Sequence, residues 1–340
     1  MAKSALVTGG AGFIGSHLVD RLLADGWHVD VVDNFDAFYD PSLKRRNIAA
    51  HRLHPSYSII RADIRSMSAL RERLRDSYDV IVHFAAKAGA RPSIQHPVAY
   101  QEVNVRGTQV MLEIVRERQV PQFVFASSSS VYGISPDVPS REDDNVLLPV
   151  SPYAATKVSS ELLGRVYSRF FGLRFVALRL FTVYGPRQRP DMAVHKFARR
   201  MLDGGRVPVF GNGTTSRDYT YVDDVVSGIV AAMTYDGSAY EVINLGSSRS
   251  VSLLEMIRTL EHALGTKADL AFLDEQLGDV PQSWADLNKA RDLLGYAPAT
   301  EFADGVKRFA DWLQSMYFAA AFPSARWLRQ DPAQPVHPVA

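Results

Sequence analysis

Residues 8 to 16 read TGGAGFIGS, directly after a short apolar run, Ser4–Thr8, and at the start of an amphipathic one, Phe13–Asp25. Gly10, Gly12 and Gly15 satisfy G-x-G-x-x-G, while Gly9, Gly12 and Gly15 satisfy the wider G-x-x-G-x-x-G. Glycine allows the tight turn and lets backbone approach a pyrophosphate, and the next helix aims its unpaired N–H groups at the charge. Alone, a glycine turn between strand and helix is weak evidence, because purely structural turns of this kind are common. Here a strand precedes it, a helix follows, and Asp33 ends the next strand, Val29–Asp33, about 20 residues on, which is the context a dinucleotide site demands. A carboxylate there accepts from a ribose 2′-hydroxyl and repels a 2′-phosphate, so NAD is expected over NADP. Asp63, in ADI at the end of the third strand, has two readings: an acceptor for the adenine amino group, or a cap for the following helix.

Outward from this unit, β-branched runs alternate with amphipathic ones, the pattern of stacked βαβ units. Ser58–Arg61, Val80–Phe84, Phe123–Ala126 and Phe175–Leu180 read as further buried strands, with helical spacing over Ser68–Arg75, Val98–Arg118 and Pro152–Phe171 between them. Past Gly185 the pattern loosens into shorter elements, with helical stretches at Val194–Leu202, Val222–Thr234, Leu253–Leu264 and Phe302–Met316. The expected architecture is α/β: a Rossmann-type doubly wound parallel sheet over residues 1–185, a smaller substrate lobe over 186–320, and a loose tail over 321–340. The 340 residues are 46% hydrophobic and 22% charged, with a formal net charge of +1, which gives no reason to expect a nucleic-acid or membrane-surface partner. There are no cysteines, so disulfides, thiolate metal sites and a cysteine nucleophile are excluded, and no metal is expected. With no signal-like segment at MAKSALVTGG and no membrane-length apolar stretch, the expected location is the cytoplasm.

At 151–157 the chain reads SPYAATK, placing Tyr153 and Lys157 one helical turn apart on a shared face. A nearby ammonium and a pyridinium stabilise a phenolate, and such a tyrosine takes a proton from an alcohol while hydride leaves the same carbon. Tyr-x-x-x-Lys alone arises often by chance. Together with TGGAGFIG, HFAA at 83–86 and ASSSSVYG at 126–133, in that order and spacing, it makes residues 4 to 318 resemble the extended short-chain dehydrogenase/reductase family. The resemblance implies a catalytic set of Tyr153, Lys157 and Ser128, with Asn104 ordering the helix behind the site. It assigns the NAD contacts to Gly9, Gly12, Phe13, Ile14, Gly15, Asp33, Asn34, Asp63, Ile64, Ala85 and Lys87, besides Tyr153 and Lys157.

In this family, sugar 4,6-dehydratases place Asp then Glu after the position of Ser128, and UDP-glucuronate decarboxylases keep the Glu. This chain has Ser129 and Ser130, so nothing there drives elimination, and oxidation followed by return of the hydride remains: epimerisation. DNFDAFYDPSLKRRN (33–47), AGARPSIQHP (88–97) and LFTVYGPRQRPDMA (180–193) resemble the UDP-glucuronate 4-epimerases. UDP-galactose 4-epimerases usually have Asn where this chain has Thr182. Thr182, Ser129 and Ser130 offer neutral donors for a sugar carboxylate. Arg217 matches the family arginine on the diphosphate, Asp279 an acid near the uridine ribose, and Arg189 lies in a loop expected to line the pocket; for each arginine the bland alternative is a surface ion pair. Lys87 departs from the pattern, where Gln is expected, and bears on selectivity. Tyr39, Arg91 and Met192 sit in the same stretches, with packing roles equally open. Competing readings are a UDP-glucose or UDP-N-acetylglucosamine 4-epimerase, a decarboxylase, and a non-catalytic NAD-responsive binding protein, the last disfavoured by the intact Tyr153 and Lys157. Family members dimerise through a four-helix bundle, here about 98–118 and 152–171, with Val105, Val110, Met111, Leu162, Val166 and Phe170 as apolar surface shared between core and partner.

Overall fold

In the computed structural model, which describes residues 2–134, 138–144, 148–274 and 280–321, the apolar runs of the first half become parallel strands. They are β1 Ser4–Thr8, β2 His28–Val32, β3 Tyr57–Ile60, β4 Val80–His83, β5 Gln122–Ser128 and β6 Arg174–Leu180. In the second half follow β7 Thr182–Tyr184, β8 Val207–Phe210, β9 Ser216–Tyr221 and β10 Tyr240–Leu245, then β11 Ser250–Ser252, β12 Leu270–Leu273 and β13 Gln282–Ser283. The main sheet runs β3-β2-β1-β4-β5-β6-β10 with every pair parallel. Such a sheet is covered on both faces, which is why its central strands are continuous apolar runs: β4 is buried along its whole length. Strand order reverses between β1 and β4, and a crevice opens at the carbonyl ends of the strands there.

The expected strands are right in place and off by a residue or two at their ends. Two offsets matter: β2 stops at Val32, leaving Asp33 just beyond the carbonyl end, and β5 extends to Ser128, so that serine is the last strand residue. The α-helices in chain order are α1 Phe13–Ala24, α2 Pro41–Asn47, α3 Met67–Arg73, α4 Ala90–Gln95, α5 Pro97–Tyr100, α6 Gly107–Glu117, α7 Pro152–Phe171, α8 Ala193–Leu202, α9 Val222–Ala232, α10 Leu253–Leu264, α11 Asn288–Leu294 and α12 Phe302–Ala321. One core lies between the sheet and α1 with α9; the other packs α3, α6 and α7 on the opposite face, around Phe123, Phe125 and Phe175.

One expectation needs correcting. The helix expected over 98–118 is not uniform: α5 and α6 are joined by wide π-type turns, Gln101–Arg106, which carry the buried Asn104. The second half, expected to be mainly a substrate lobe, also contributes to the first sheet. β10 returns from the expected second lobe to cover the edge of β6, and α9 packs on α1. Fully buried Ile243 and Leu245 belong to the main core, and an uncovered β6 would be an exposed sheet edge. The remaining strands form the smaller lobe, with β9 paired to β7, β11 and β13, and β8 paired to β12. Beyond Ala321 the expected tail lies outside the described residues, as does Asp279. Among the described residues no helix is long and apolar enough to cross a membrane, and no cluster of three metal-ligating side chains occurs.

The helix that carries Tyr153 and Lys157 is seated closely on the sheet. A Cβ at Gly164 of α7 would collide with the Phe175 ring, which is itself stacked between Phe123 and Tyr240 at centroid distances of 5.5 and 5.9 Å. The ring has nowhere to go. Gly164→Ala is therefore expected to lower stability by about 1–3 kcal/mol, measured by urea unfolding, although it lies far from the chemistry along the helix.

Candidate active site

The glycine turn behaves as its sequence requires. Gly9 adopts φ 72°, and a Cβ there would come within 2.9 Å of the Ala85 backbone N. A Cβ at Gly15 would collide with the Gly9 carbonyl, so α1 starts directly on the turn and its first N–H groups face the crevice. This crevice is a cleft of about 360 Å³ that holds, at one end, Asp33, Asn34, Asp36 and Asp63, and at the other Ser128, Ser129, Ser130, Tyr153, Lys157 and Thr182. Gly9, Gly12, Phe13, Ile14, Gly15, Ile64, Ala85, Lys87, Tyr39, Arg189 and Met192 line it as well.

At the tyrosine end, α7 is held at its start. Ser151 caps it by accepting from the Ala154 N–H, Pro152 sits in the first turn, and Ser93 Oγ accepts the Tyr153 N–H at 3.0 Å. Lys157 is 4% exposed, and its Nζ donates to the Ala126 carbonyl at 2.6 Å while lying 4.8 Å over the Phe125 ring and 5.8 Å from the Tyr153 ring. Burial pushes the Lys157 ammonium down to about 8, with Glu161 pulling the other way. Burial raises the Tyr153 phenol; a hydrogen bond with Ser128 and the positive charge of Arg189 oppose that rise. Lys157 and Ser128 are both expected beside the phenol; the structure adds the charge of Arg189. Ser128 Oγ also accepts from the Ser130 N–H at 3.2 Å, fixing the short turn Ser129–Tyr132 beside the phenol.

Asn104 connects three parts of this end. Its side chain accepts from the Lys87 N–H at 2.8 Å and donates to the Lys87 carbonyl at 2.9 Å and to Thr156 Oγ1 at 3.0 Å. The π-type turns place it so, tying the loop after β4 to α7. His83, between Thr8 Oγ1 at 2.7 Å and Thr108 Oγ1 at 3.2 Å, is pushed down to about 3 by burial and by Lys157, so it stays neutral.

Asp63 does not cap the following helix: Ser66 occupies the cap position of α3, while Asp63 lines the cleft, accepts the Arg65 N–H at 2.9 Å and pairs with the Arg65 guanidinium at 2.8 Å. That pairing holds it down at about 2, and Asn34 Nδ2 donates to it at 3.2 Å. Arg189 is ion-paired at the wall of the cleft. It lines the cleft, held bidentately by Asp191 with both contacts at 3.0 Å, on a loop fixed by buried Gln188. Arg217, on β9, does not line this cleft, and its Nη1 donates to the Ser216 carbonyl. Arg91 stacks at 5.7 Å on Phe210, a contact between α4 and the smaller lobe.

Some residues of the site escaped the sequence reading. Lys44, in α2, is buried 3.5 Å from Asp33. Glu161 forms a buried pair with Arg179 at 2.9 Å and accepts from Ser127 Oγ at 2.5 Å, behind Lys157. Its signal was available: 153, 157 and 161 fall on one helix face. Lys44 had none, because nothing local says that a charged residue eleven positions after Asp33 turns inward.

Residues 5–246 match the model of the NAD dependent epimerase/dehydratase family. A UDP-glucuronate 4-epimerase of Thermodesulfobacterium geofontis is 39% identical over 311 residues, covering 90% of this chain and 95% of that protein. Among solved structures, the UDP-glucuronic acid 4-epimerase of Bacillus cereus in complex with UDP-glucuronic acid and NAD superposes with a TM-score of 0.85 at 39% identity, over 92% of this chain and all of that one. The UDP-glucose 4-epimerase of Thermotoga maritima gives a TM-score of 0.84 at 32% identity, over 92% and 99%. The chain belongs to the NAD dependent epimerase/dehydratase family. The residues present fit that cofactor: a cleft-lining glycine turn packed so closely that a Cβ at Gly9 or Gly15 would strike backbone, a helix starting directly on it, and buried Asp33 at its far end.

Because the folded chain holds Lys157 below its ordinary 10.5, the unfolded chain binds more protons between pH 8 and 10.5, and stability rises with pH across that window. The unfolding free energy of wild type minus that of Lys157→Met should therefore increase from pH 8 to 10.5, read by urea titrations at each pH. A flat difference would place the Lys157 ammonium in water.

Proposed function

We propose that this member of the family interconverts UDP-glucuronate and UDP-galacturonate by transient oxidation at C4. One observation carries the reading. The described residues lining the tyrosine end of the cleft include no carboxylate; the cleft's carboxylates, Asp33, Asp36 and Asp63, all follow β2 and β3. Elimination of water from a sugar needs a further acid and base beside the tyrosine, and here hydroxyls stand in their place. The similarity to UDP-glucuronate 4-epimerases supports the same substrate.

NAD, held by the glycine turn and Asp33, would supply the reversible hydride acceptor for C4. Tyr153 removes the C4 hydroxyl proton and later returns it, with Ser128 hydrogen-bonded to the same oxygen and Lys157 and Arg189 supplying positive charge around the phenolate. The 4-keto uronate is a β-keto acid, prone to lose carbon dioxide. Ser129, Ser130 and Thr182 hold its carboxylate near the plane of the C4 carbonyl, where the C–C bond is misaligned for cleavage. Arg189 is paired with Asp191, which offsets part of its charge at this end. Between the two hydride steps the sugar ring turns about its diphosphate to present its other face. We assign the diphosphate grip to Arg217 on β9, and the uridine contact to Asp279, which lies outside the described residues. A homodimer through α6 and α7 belongs to the same proposal: Leu162, Val166 and Phe170 are exposed at one-turn intervals along α7, whereas Met111 is wholly buried in the monomer.

Incubation with UDP-glucuronate, UDP-glucose and UDP-N-acetylglucosamine, following products by chromatography, tests the substrate. UDP-galacturonate should form with total uronate conserved; faster turnover of UDP-glucose, or release of carbon dioxide and a UDP-pentose as main products, would overturn it. Tyr153→Phe should lower turnover by about 10²–10⁴-fold with little change in KM. Thr182→Val should lower turnover of UDP-glucuronate and increase UDP-4-keto-pentose leakage; unchanged uronate turnover would remove the carboxylate role.

A further inference from the structure

The three carboxylates at the far end of the cleft are each matched by a cation. Asp63 has Arg65 at 2.8 Å, Asp36 has Lys87 at 3.3 Å, and Asp33 has Lys44 at 3.5 Å. The first two pairs are partly exposed, but the third is buried: side-chain exposure is 4% for Asp33 and 11% for Lys44. A site expected to repel a 2′-phosphate by negative charge is therefore close to neutral where the ribose binds. We infer that Lys44 is a coenzyme-selectivity residue, a cation competent to take the 2′-phosphate of an adenine dinucleotide and held idle by Asp33. This rests on the reading of the cleft as the dinucleotide site.

Acceptor accounting supports it. Each carboxylate oxygen of Asp33 has two lone pairs. Oδ1 receives the Phe35 N–H at 2.8 Å and faces Lys44 Nζ, so it is filled. Oδ2 receives the Ala11 N–H at 3.3 Å, which leaves a place for one ribose hydroxyl. Selection for a hydroxyl thus depends on a carboxylate oriented by two backbone N–H groups and by Lys44. The lysine cannot leave with a mobile loop. Asp40 caps α2 by accepting from the Ser42 N–H at 2.8 Å, and at the other end Asn47 Nδ2 donates to the Ala11 carbonyl in the glycine turn at 3.1 Å. Lys44 Nζ also lies 5.3 Å over the Tyr39 ring, on the wall of the same cleft. Without Asp33 it would be a buried cation lacking a partner, and a 2′-phosphate would supply one.

Dissociation constants for NADH and NADPH, read from nicotinamide fluorescence, test this without recourse to turnover. Lys44→Met should weaken NADPH relative to NADH, because the 2′-phosphate then meets an unneutralised Asp33. Asp33→Ser should shift the ratio the other way, toward NADPH, by about ten- to hundredfold, the worth of one charge-assisted hydrogen bond. Adding Lys44→Met to Asp33→Ser should erase that gain. A lysine that merely seats α2 would change both affinities together; an unchanged NADPH to NADH ratio on replacing Lys44, in either background, overturns the inference. If Asp33→Ser does not fold, the single Lys44→Met comparison still decides. Failure of wild type to bind NADH at all would instead overturn the assignment of the cleft.

Discussion

The hydrogen bond from Lys157 Nζ to the Ala126 carbonyl, 2.6 Å long and almost wholly buried, joins the two elements that the chemistry needs side by side. Ala126 lies two residues before the end of β5, so the bond sets α7 against the carbonyl end of that strand and brings Tyr153 next to Ser128. A charged donor on a main-chain acceptor is among the stronger neutral-partner hydrogen bonds, and in a dry setting it has no competing water. The close packing of Gly164 on Phe175 and the Ser93 contact to the Tyr153 N–H hold the same helix at two further points. Desolvation is the other side of this arrangement. The lysine that orders the site is brought to about 8, near the pH at which it must stay charged, and Glu161 counters part of that shift.

Charge is distributed along the cleft in opposite ways at its two ends. Where the adenosine is expected, carboxylates and cations are paired one to one, which gives directional acceptors without a strong net field. Where the sugar is expected, hydroxyls predominate, and Arg189 arrives already paired with Asp191. The two kinds of polar group are carried by different segments: paired charges on the loops after β2 and β3, hydroxyls on the serine turn after β5 and the segment starting at Thr182.

Much of this was legible in the residues. The glycine turn, Asp33 and the Tyr153–Lys157 spacing are local patterns, each set by the geometry of one turn or one helix, and they lie along one cleft as the spacing implied. Ser128 was readable through the family resemblance, which places a serine two residues after the apolar run Phe123–Ala126. The pairing of Lys44 with Asp33, the π-type turns around Asn104 and the inward position of Arg189 were not readable, since each depends on a neighbour distant along the chain or on a backbone departure with no composition signal. The return of β10 to the main sheet was hidden for a similar reason: a buried strand from the second half has the same apolar character whichever sheet it joins.

The sequence by itself determined the class of fold, the dinucleotide turn and the placing of Tyr153 and Lys157 on one helix face, because strand and helix periodicity and the reach of one helical turn are properties of contiguous residues. Only the tertiary structure decided which charges face each other across the cleft and which are buried together. Those are long-range facts. Asp33 has one environment as the end of a strand and another with Lys44 seated against it, and only the packing of α2 over the glycine turn chooses between them.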